Sequence, residues 1–104
     1  MKEANTLTKE ELQMEAFQII SIAGDAYSSF YEAMTLYKQE KVAAAKKKLD
    51  EGSDKLIEAH QIQTTLIHAE VNNLDLPFSL IMTHAQDHLM MANCWENLAK
   101  VFID

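Results

Sequence analysis

The stretch TKEELQMEAFQIISIAGDAYSSFYEAMTLY, residues 8–37, decides the fold. Thr8-Lys9-Glu10-Glu11 has the form of a capping box, in which the Thr8 hydroxyl accepts a backbone N–H and the Glu11 carboxylate reaches back to another. From Leu12 the apolar positions run Leu12, Ala16, Ile19, Ala23, Ala26, Phe30, Ala33, Tyr37, in alternating steps of four and three. That is the seam of a helix packed along one neighbour. A second seam lies beside it: Phe17, Ile20, Gly24, Tyr27, Tyr31, Met34. Two adjacent seams make a wide apolar face that needs at least two neighbours. Gly24, in the second seam, is a candidate point of close helix approach.

Working outward, residues 1–7 form a polar lead-in. Lys38-Gln39-Glu40-Lys41 is a polar gap without Gly or Pro. Uninterrupted, the helix would run for roughly 60 residues, or about 90 Å, too long for so short a chain. A turn is therefore expected there on length grounds. A second helix follows over residues 42–71, with the seam Ala45, Leu49, Gly52, Leu56, Ala59, Gln63, Leu66. Lys46-Lys47-Lys48, Asp50, Glu51, Asp54, Lys55 and Glu58 form a mixed, solvated surface on it. Asn72-Asn73-Leu74-Asp75-Leu76-Pro77 is the clearest break, since Asn ends helices and Pro starts them. A third helix is expected over residues 78–102. With helices at about 9–37, 42–71 and 78–102, the whole chain, 1–104, reads as one all-α domain. Only 2 glycines and 1 proline are available for turns, too few for a β-rich fold.

Charge narrows the function. With 9 basic and 16 acidic residues the net charge is −7. Nucleic-acid binding, which draws on neutralised phosphates, is excluded on this balance. Every basic residue is a lysine, so no guanidinium fork exists to clamp a phosphate through two parallel bonds. Cys94 stands alone and is expected to act as a small buried hydrophobe. No apolar run approaches the roughly 18 residues of a membrane span. Residues 1–5 lack the apolar core of a signal peptide, and a cytoplasmic protein is expected.

The third helix carries the misplaced polar residues. Its main seam reads Ile81, His84, His88, Met91, Trp95, Leu98, Phe102, with two histidines in consecutive places. A line spaced by seven reads Leu80, Asp87, Cys94, Val101 and sets one carboxylate in an apolar row. A buried, unpaired carboxylate is costly, so a partner, a cation or solvent must compensate it. Four readings compete. The histidines are satisfied core or rim residues; or His84, Asp87 and His88, with His60 and His68 added, bind zinc or another divalent ion. A di-iron bundle would want paired Glu-x-x-His motifs, and the chain has none. Alternatively an imidazole, neutral near pH 7, attacks phosphorus with its free ring nitrogen while its neighbour one turn away orients it. Last, the polar residues set the register of a helical interaction module. Spacing alone does not choose among the metal, nucleophile and module readings.

The residues also carry a specific resemblance. Pro77-Phe78-Ser79-Leu80-Ile81-Met82-Thr83-His84-Ala85-Gln86-Asp87-His88-Leu89-Met90 resembles the signature of the lactose/cellobiose-specific enzyme IIA family of the bacterial sugar phosphotransferase system. Residues 58–67, from Glu58 to Ile67, and Ala23-Gly24-Asp25-Ala26 resemble two further blocks, so the likeness runs from about residue 11 to 103. It implies an antiparallel three-helix bundle subunit assembling as a homotrimer. It implies that His84 is phosphorylated by phospho-HPr and passes the group to a cysteine of the cognate IIB protein. Gln86 and His88 match residues that support the active histidine. Asp87 matches an aspartate that gathers at the threefold axis around a divalent metal, usually magnesium. The role implied is a phosphotransferase component in uptake of a β-linked disaccharide, touching the membrane only through IIC. The alternative is a metal-binding or scaffolding bundle without phosphotransfer. Trp95 and Cys94 stand where smaller or aliphatic residues are usual, and the first connection lacks the glycine commonly found there.

Overall fold

The computed structural model describes residues 8–71 and 79–103. It consists of three helices, α1 (Lys9–Lys38), α2 (Val42–Val71) and α3 (Leu80–Ile103). The lead-in at residues 1–7, the break at Asn72–Pro77 and the expected start of the third helix at Phe78 lie outside the described residues.

α1 begins as its sequence requires. The Glu11 N–H donates to Thr8 Oγ1 at 3.1 Å, and the Thr8 N–H donates to Glu11 Oε1 at 2.8 Å. Two of the first-turn donors that a helix leaves unpaired are thereby satisfied. The first seam is buried from Leu12 to Ala33, while Tyr37 at its end is exposed.

The turn after α1 closes without glycine. The Lys41 N–H reaches the Leu36 carbonyl and the Glu40 N–H reaches the Tyr37 carbonyl, both at 2.9 Å. This pair of bonds forces one residue into the left-handed region, and that residue is Glu40, at φ 64. A side chain there costs about 1–2 kcal/mol, which glycine avoids. Glu40→Gly is therefore expected to stabilise the fold by about 0.5 kcal/mol, the remainder being offset by glycine's greater freedom when unfolded. Glu40→Ala, which keeps a Cβ, should give no such gain in a denaturant melt. Equal stabilities for the two variants would contradict the strain.

α2 runs antiparallel to α1. Its buried line of Ala45, Leu49, Gly52, Leu56, Ala59 and Leu66 faces the α1 seam. Lys48 pairs with Glu32 at 3.5 Å and with Glu51 at 3.0 Å, and Lys55 pairs with Asp25 at 3.7 Å. Hydrogen bonding between Lys48 and Glu51 holds the Lys48 ammonium above its usual range and the Glu51 carboxyl below its own. The close approach expected at Gly24 occurs instead at Gly52. A Cβ built on Gly24 meets nothing within 4 Å, whereas one on Gly52 would stand 2.5 Å from the buried Phe30 ring. Gly24 lies on the second seam, which faces away from α2, so no helix of the same chain crowds it.

α3 is capped by Ser79, whose Oγ accepts the Met82 N–H at 3.2 Å and whose carbonyl accepts the Thr83 N–H at 3.1 Å. Its core face is Ala85, Leu89, Ala92, Ala99 and Ile103. This corrects the expected seam, for His84, Met91, Leu98 and Phe102 are exposed and His88 half-buried. α3 is apolar almost all round, so several lines have helical spacing. The line of alanines wins because small side chains let α3 lie close against α1. Cys94, expected to be buried, is exposed. α2 and α3 antiparallel each other along a polar seam, with Ser53 Oγ donating to Glu96 Oε2 at 2.7 Å and Lys100 paired to the same carboxylate at 3.3 Å. α1 and α3 are consequently parallel, and α2 and α3 each pack chiefly on α1 and less on each other. No described helix is long and apolar enough to cross a membrane.

The second seam of α1 meets α3 in part, with Ile20 and Met34 packed against the core and Tyr27 and Tyr31 beside Trp95. Phe17, Tyr27 and Tyr31 stay exposed, with Tyr27 edge-on to Trp95 at 5.4 Å between ring centroids. Further along the same side of the molecule, Leu80 is 74% and Val101 77% exposed, on the line they share with Asp87 and Cys94.

Candidate functional site: a histidine pair on the open face of α3

His84 and His88 stand one turn apart on α3, beyond the alanine face that holds the helix to α1. Ala85 and Leu89, each fully buried, pin the backbone directly behind them. The two rings are perpendicular with centroids 4.5 Å apart, and Nε2 of one lies 3.0 Å from Nε2 of the other. Only one proton fits between two such nitrogens, so one ring donates and the other accepts. The contact fixes the tilt of both imidazoles without covering them.

Gln86 points elsewhere. Residues two apart on a helix do not share a face. The Gln86 Oε1 accepts from Gln63 Nε2 of α2, and its Nε2 donates to Met82 Sδ at 3.4 Å. Gln63 Oε1 in turn lies 3.3 Å from Nδ1 of His60, and His60 Nε2 lies 3.1 Å from Asn93 Oδ1. The structure thus brings His88 to His84, and brings Gln86 to an amide and imidazole chain that ties α3 to α2. Sequence reasoning had placed Gln63 in the α2 seam and His60 among possible metal ligands. A polar residue in an otherwise apolar seam was the signal for this tie.

Asp87 is exposed, one position along from Gln86 and outside both clusters. No three His, Cys, Asp or Glu side chains converge as a metal-ligand set among the described residues. One chain offers the Asp87 carboxylate alone, so a cation there would need further chains to complete its oxygen ligands. His60 and His68 do not join the His84 pair.

Beside His84 opens a groove of about 790 Å³, lined by Lys9, Gln13 and Phe17 of α1 and by Ser79, Leu80, Ile81 and His84 of α3. It exists because α1 and α3 are parallel, which sets their first turns side by side. The α1 residues of this groove were not apparent from sequence, since Lys9 and Gln13 belong to neither apolar seam.

Fold and site together define an all-α subunit whose paired imidazoles stand on an open helix face rather than in an enclosed cavity. The family described as PTS system, Lactose/Cellobiose specific IIA subunit, matches residues 14–104, and the chain belongs to that family. Members are components of the sugar phosphotransferase system and act in phosphotransfer during sugar uptake. The chain is 37% identical over 98 residues to a PTS system lactose-specific EIIA component of Staphylococcus aureus, covering 94% of this chain and 95% of that one. It is 38% identical over 95 residues to the lichenan-specific phosphotransferase enzyme IIA component of Bacillus subtilis, covering 91% and 86% respectively. Among solved structures, PtcA from S. mutans superposes with a TM-score of 0.90 at 36% identity, over 93% of this chain and 95% of that one. The PTS cellobiose-specific enzyme IIA from Bacillus anthracis gives 0.86 at 37% identity, over 95% and 89%.

Proposed function

We propose that this chain carries a phosphoryl group on His84, accepting it from phospho-HPr and passing it to a cysteine of its cognate IIB protein. The observation that carries this reading is the pair of imidazoles with their Nε2 atoms 3.0 Å apart on an open face. With its proton on Nδ1, His84 presents the Nε2 lone pair. That nitrogen attacks phosphorus in line, the new N–P bond forms, and the bond from phosphorus to the donor breaks with its electron pair leaving on the donor. His88 Nε2–H, released from the ring nitrogen, donates to a phosphoryl oxygen. In the second step a thiolate attacks the same phosphorus, an S–P bond forms, and the N–P pair returns to His84. Gln86 supports both steps from behind, by holding α3 in register on α2. With no arginine in the chain, the group is held without a bidentate clamp and stays transferable.

The names of the relatives, lactose-, lichenan- and cellobiose-specific, support uptake of a β-linked disaccharide, with the membrane component IIC reached through IIB. The chain would thus serve as a cytoplasmic phosphotransferase component. The test is incubation with phosphoenolpyruvate, enzyme I and HPr. An acid-labile gain of one phosphoryl group is expected; bound metal with no labelling would favour a metal-binding or scaffolding bundle instead.

The assembly proposed is a homotrimer. The exposed Tyr27 and Tyr31 of α1 and the exposed Asp87, Cys94 and Val101 of α3 supply surface for it. Three Asp87 carboxylates meeting at a threefold axis would form an all-oxygen site suited to magnesium, which would neutralise their mutual repulsion. Asp87→Leu is expected to remove magnesium dependence from trimer stability while leaving His84 able to accept phosphate. Analytical ultracentrifugation with and without chelator checks it. A wild-type trimer indifferent to chelator would sink the cation role.

A further inference from the structure

The groove beside His84 contains groups that neither the histidine pair nor the proposed trimer uses. Lys9 is exposed on its rim and has no acidic partner among the described residues. Its place is unfavourable for the helix: as the first residue of α1 it sets a cation against the positive end of the helix dipole, where Glu10 and Glu11 are the fitting charges. A local conflict of this kind at the rim of a reactive site is where function overrides folding preference. Gln13, one turn further on and half-buried, lines the same space and carries a carboxamide able to donate. Phe17, Leu80 and Ile81 form the apolar walls.

We infer that this groove receives the phosphoryl group once it is on His84, with Lys9 and Gln13 of α1 as positioning residues for it. The inference rests on His84 as the carrier residue. A phosphoryl group on His84 brings close to two negative charges into a chain whose net charge is already −7. α3 itself bears one cation, Lys100, four turns from His84 and paired to Glu96 at 3.3 Å. Among the described residues, Lys9 is the ammonium that lines the groove, and it comes from a different helix. Its attraction is present only in the phosphorylated state, so it shifts the phosphoryl equilibrium towards this chain. Being a lone, hydrated ammonium rather than a guanidinium, it does so weakly and leaves the group transferable.

The experiment measures the equilibrium distribution of phosphoryl groups between HPr and this chain for the wild type, Lys9→Gln, Lys9→Arg and Gln13→Ala, at low and high salt. An exposed charge pair is worth up to ~1 kcal/mol, so Lys9→Gln should move the distribution towards HPr by up to about five-fold. The shift should vanish in molar salt, and Lys9→Arg should move the distribution the other way, towards this chain. Gln13→Ala should give a shift of similar size that salt does not remove. Thermal unfolding separates a structural role, because Lys9→Gln relieves the dipole conflict and should leave stability equal or higher. Unchanged distributions in both variants, or a Lys9→Gln shift that persists in molar salt, would overturn the inference while leaving His84 as carrier. A wild type that takes no phosphoryl group on His84 would remove both readings together.

Discussion

His84→Gln is expected to abolish phosphoryl acceptance from phospho-HPr. Glutamine keeps the length and polarity of the side chain but has no basic ring nitrogen, so no lone pair is available to attack phosphorus. The substitution lies on an exposed face backed by Ala85 and Leu89, so the fold should survive it. The signature is thus complete loss of the acid-labile phosphoryl group with an unchanged melting curve. His88→Gln provides the contrast. It removes a hydrogen bond worth roughly 1–1.5 kcal/mol, and transfer should slow by about five- to ten-fold without stopping. Phosphate appearing on His88 in the His84→Gln protein would move the nucleophile one turn along the helix and require the mechanism to be rewritten.

The largest effect on stability is expected at the contact between Phe30 and Gly52. Phe30 is fully buried between α1 and α2, and its ring occupies the space that a Cβ on Gly52 would need. Phe30→Ala should cost about 3–5 kcal/mol, from lost burial and from the cavity left behind. In a domain of this size, each kcal/mol lowers the melting temperature by roughly 4–8 °C. The opposite error, Gly52→Ala, adds a methyl group 2.5 Å from the ring. Overpacking of about 1–3 kcal/mol then outweighs the ~1 kcal/mol that alanine gains over glycine in a helix. Combining Gly52→Ala with Phe30→Leu, which withdraws the ring, should cost less than the sum of the two changes. A denaturant melt in which Gly52→Ala alone is stabilising would show that the ring yields freely.

Much of this architecture was legible in the residues. The capping box at Thr8, the first α1 seam and the α2 seam fold as their spacing requires, because each is an apolar line bounded by polar faces. α3 was different. With apolar residues almost all round, it offers several lines of equal period, and periodicity cannot say which one meets α1. The alanines decide it, through closeness of approach rather than hydrophobicity. The second α1 seam was visible as a demand for another neighbour, and α3 is that neighbour, though Tyr27 and Tyr31 beside Trp95 stay exposed. At the site, the spacing of His84 and His88 foretold their contact directly. The destination of Gln86 depended on the register of α2 against α3, and the groove on the parallel pairing of α1 with α3. Both are tertiary facts with no local sign in the sequence.

The parallel course of α1 and α3 has a practical result for anyone handling the protein. A reporter or affinity handle joined ahead of α1 would enter beside Lys9, at the rim of the groove proposed to receive the phosphoryl group. One joined after α3 would leave nineteen residues beyond His84, about 28 Å along the helix axis, clear of that groove.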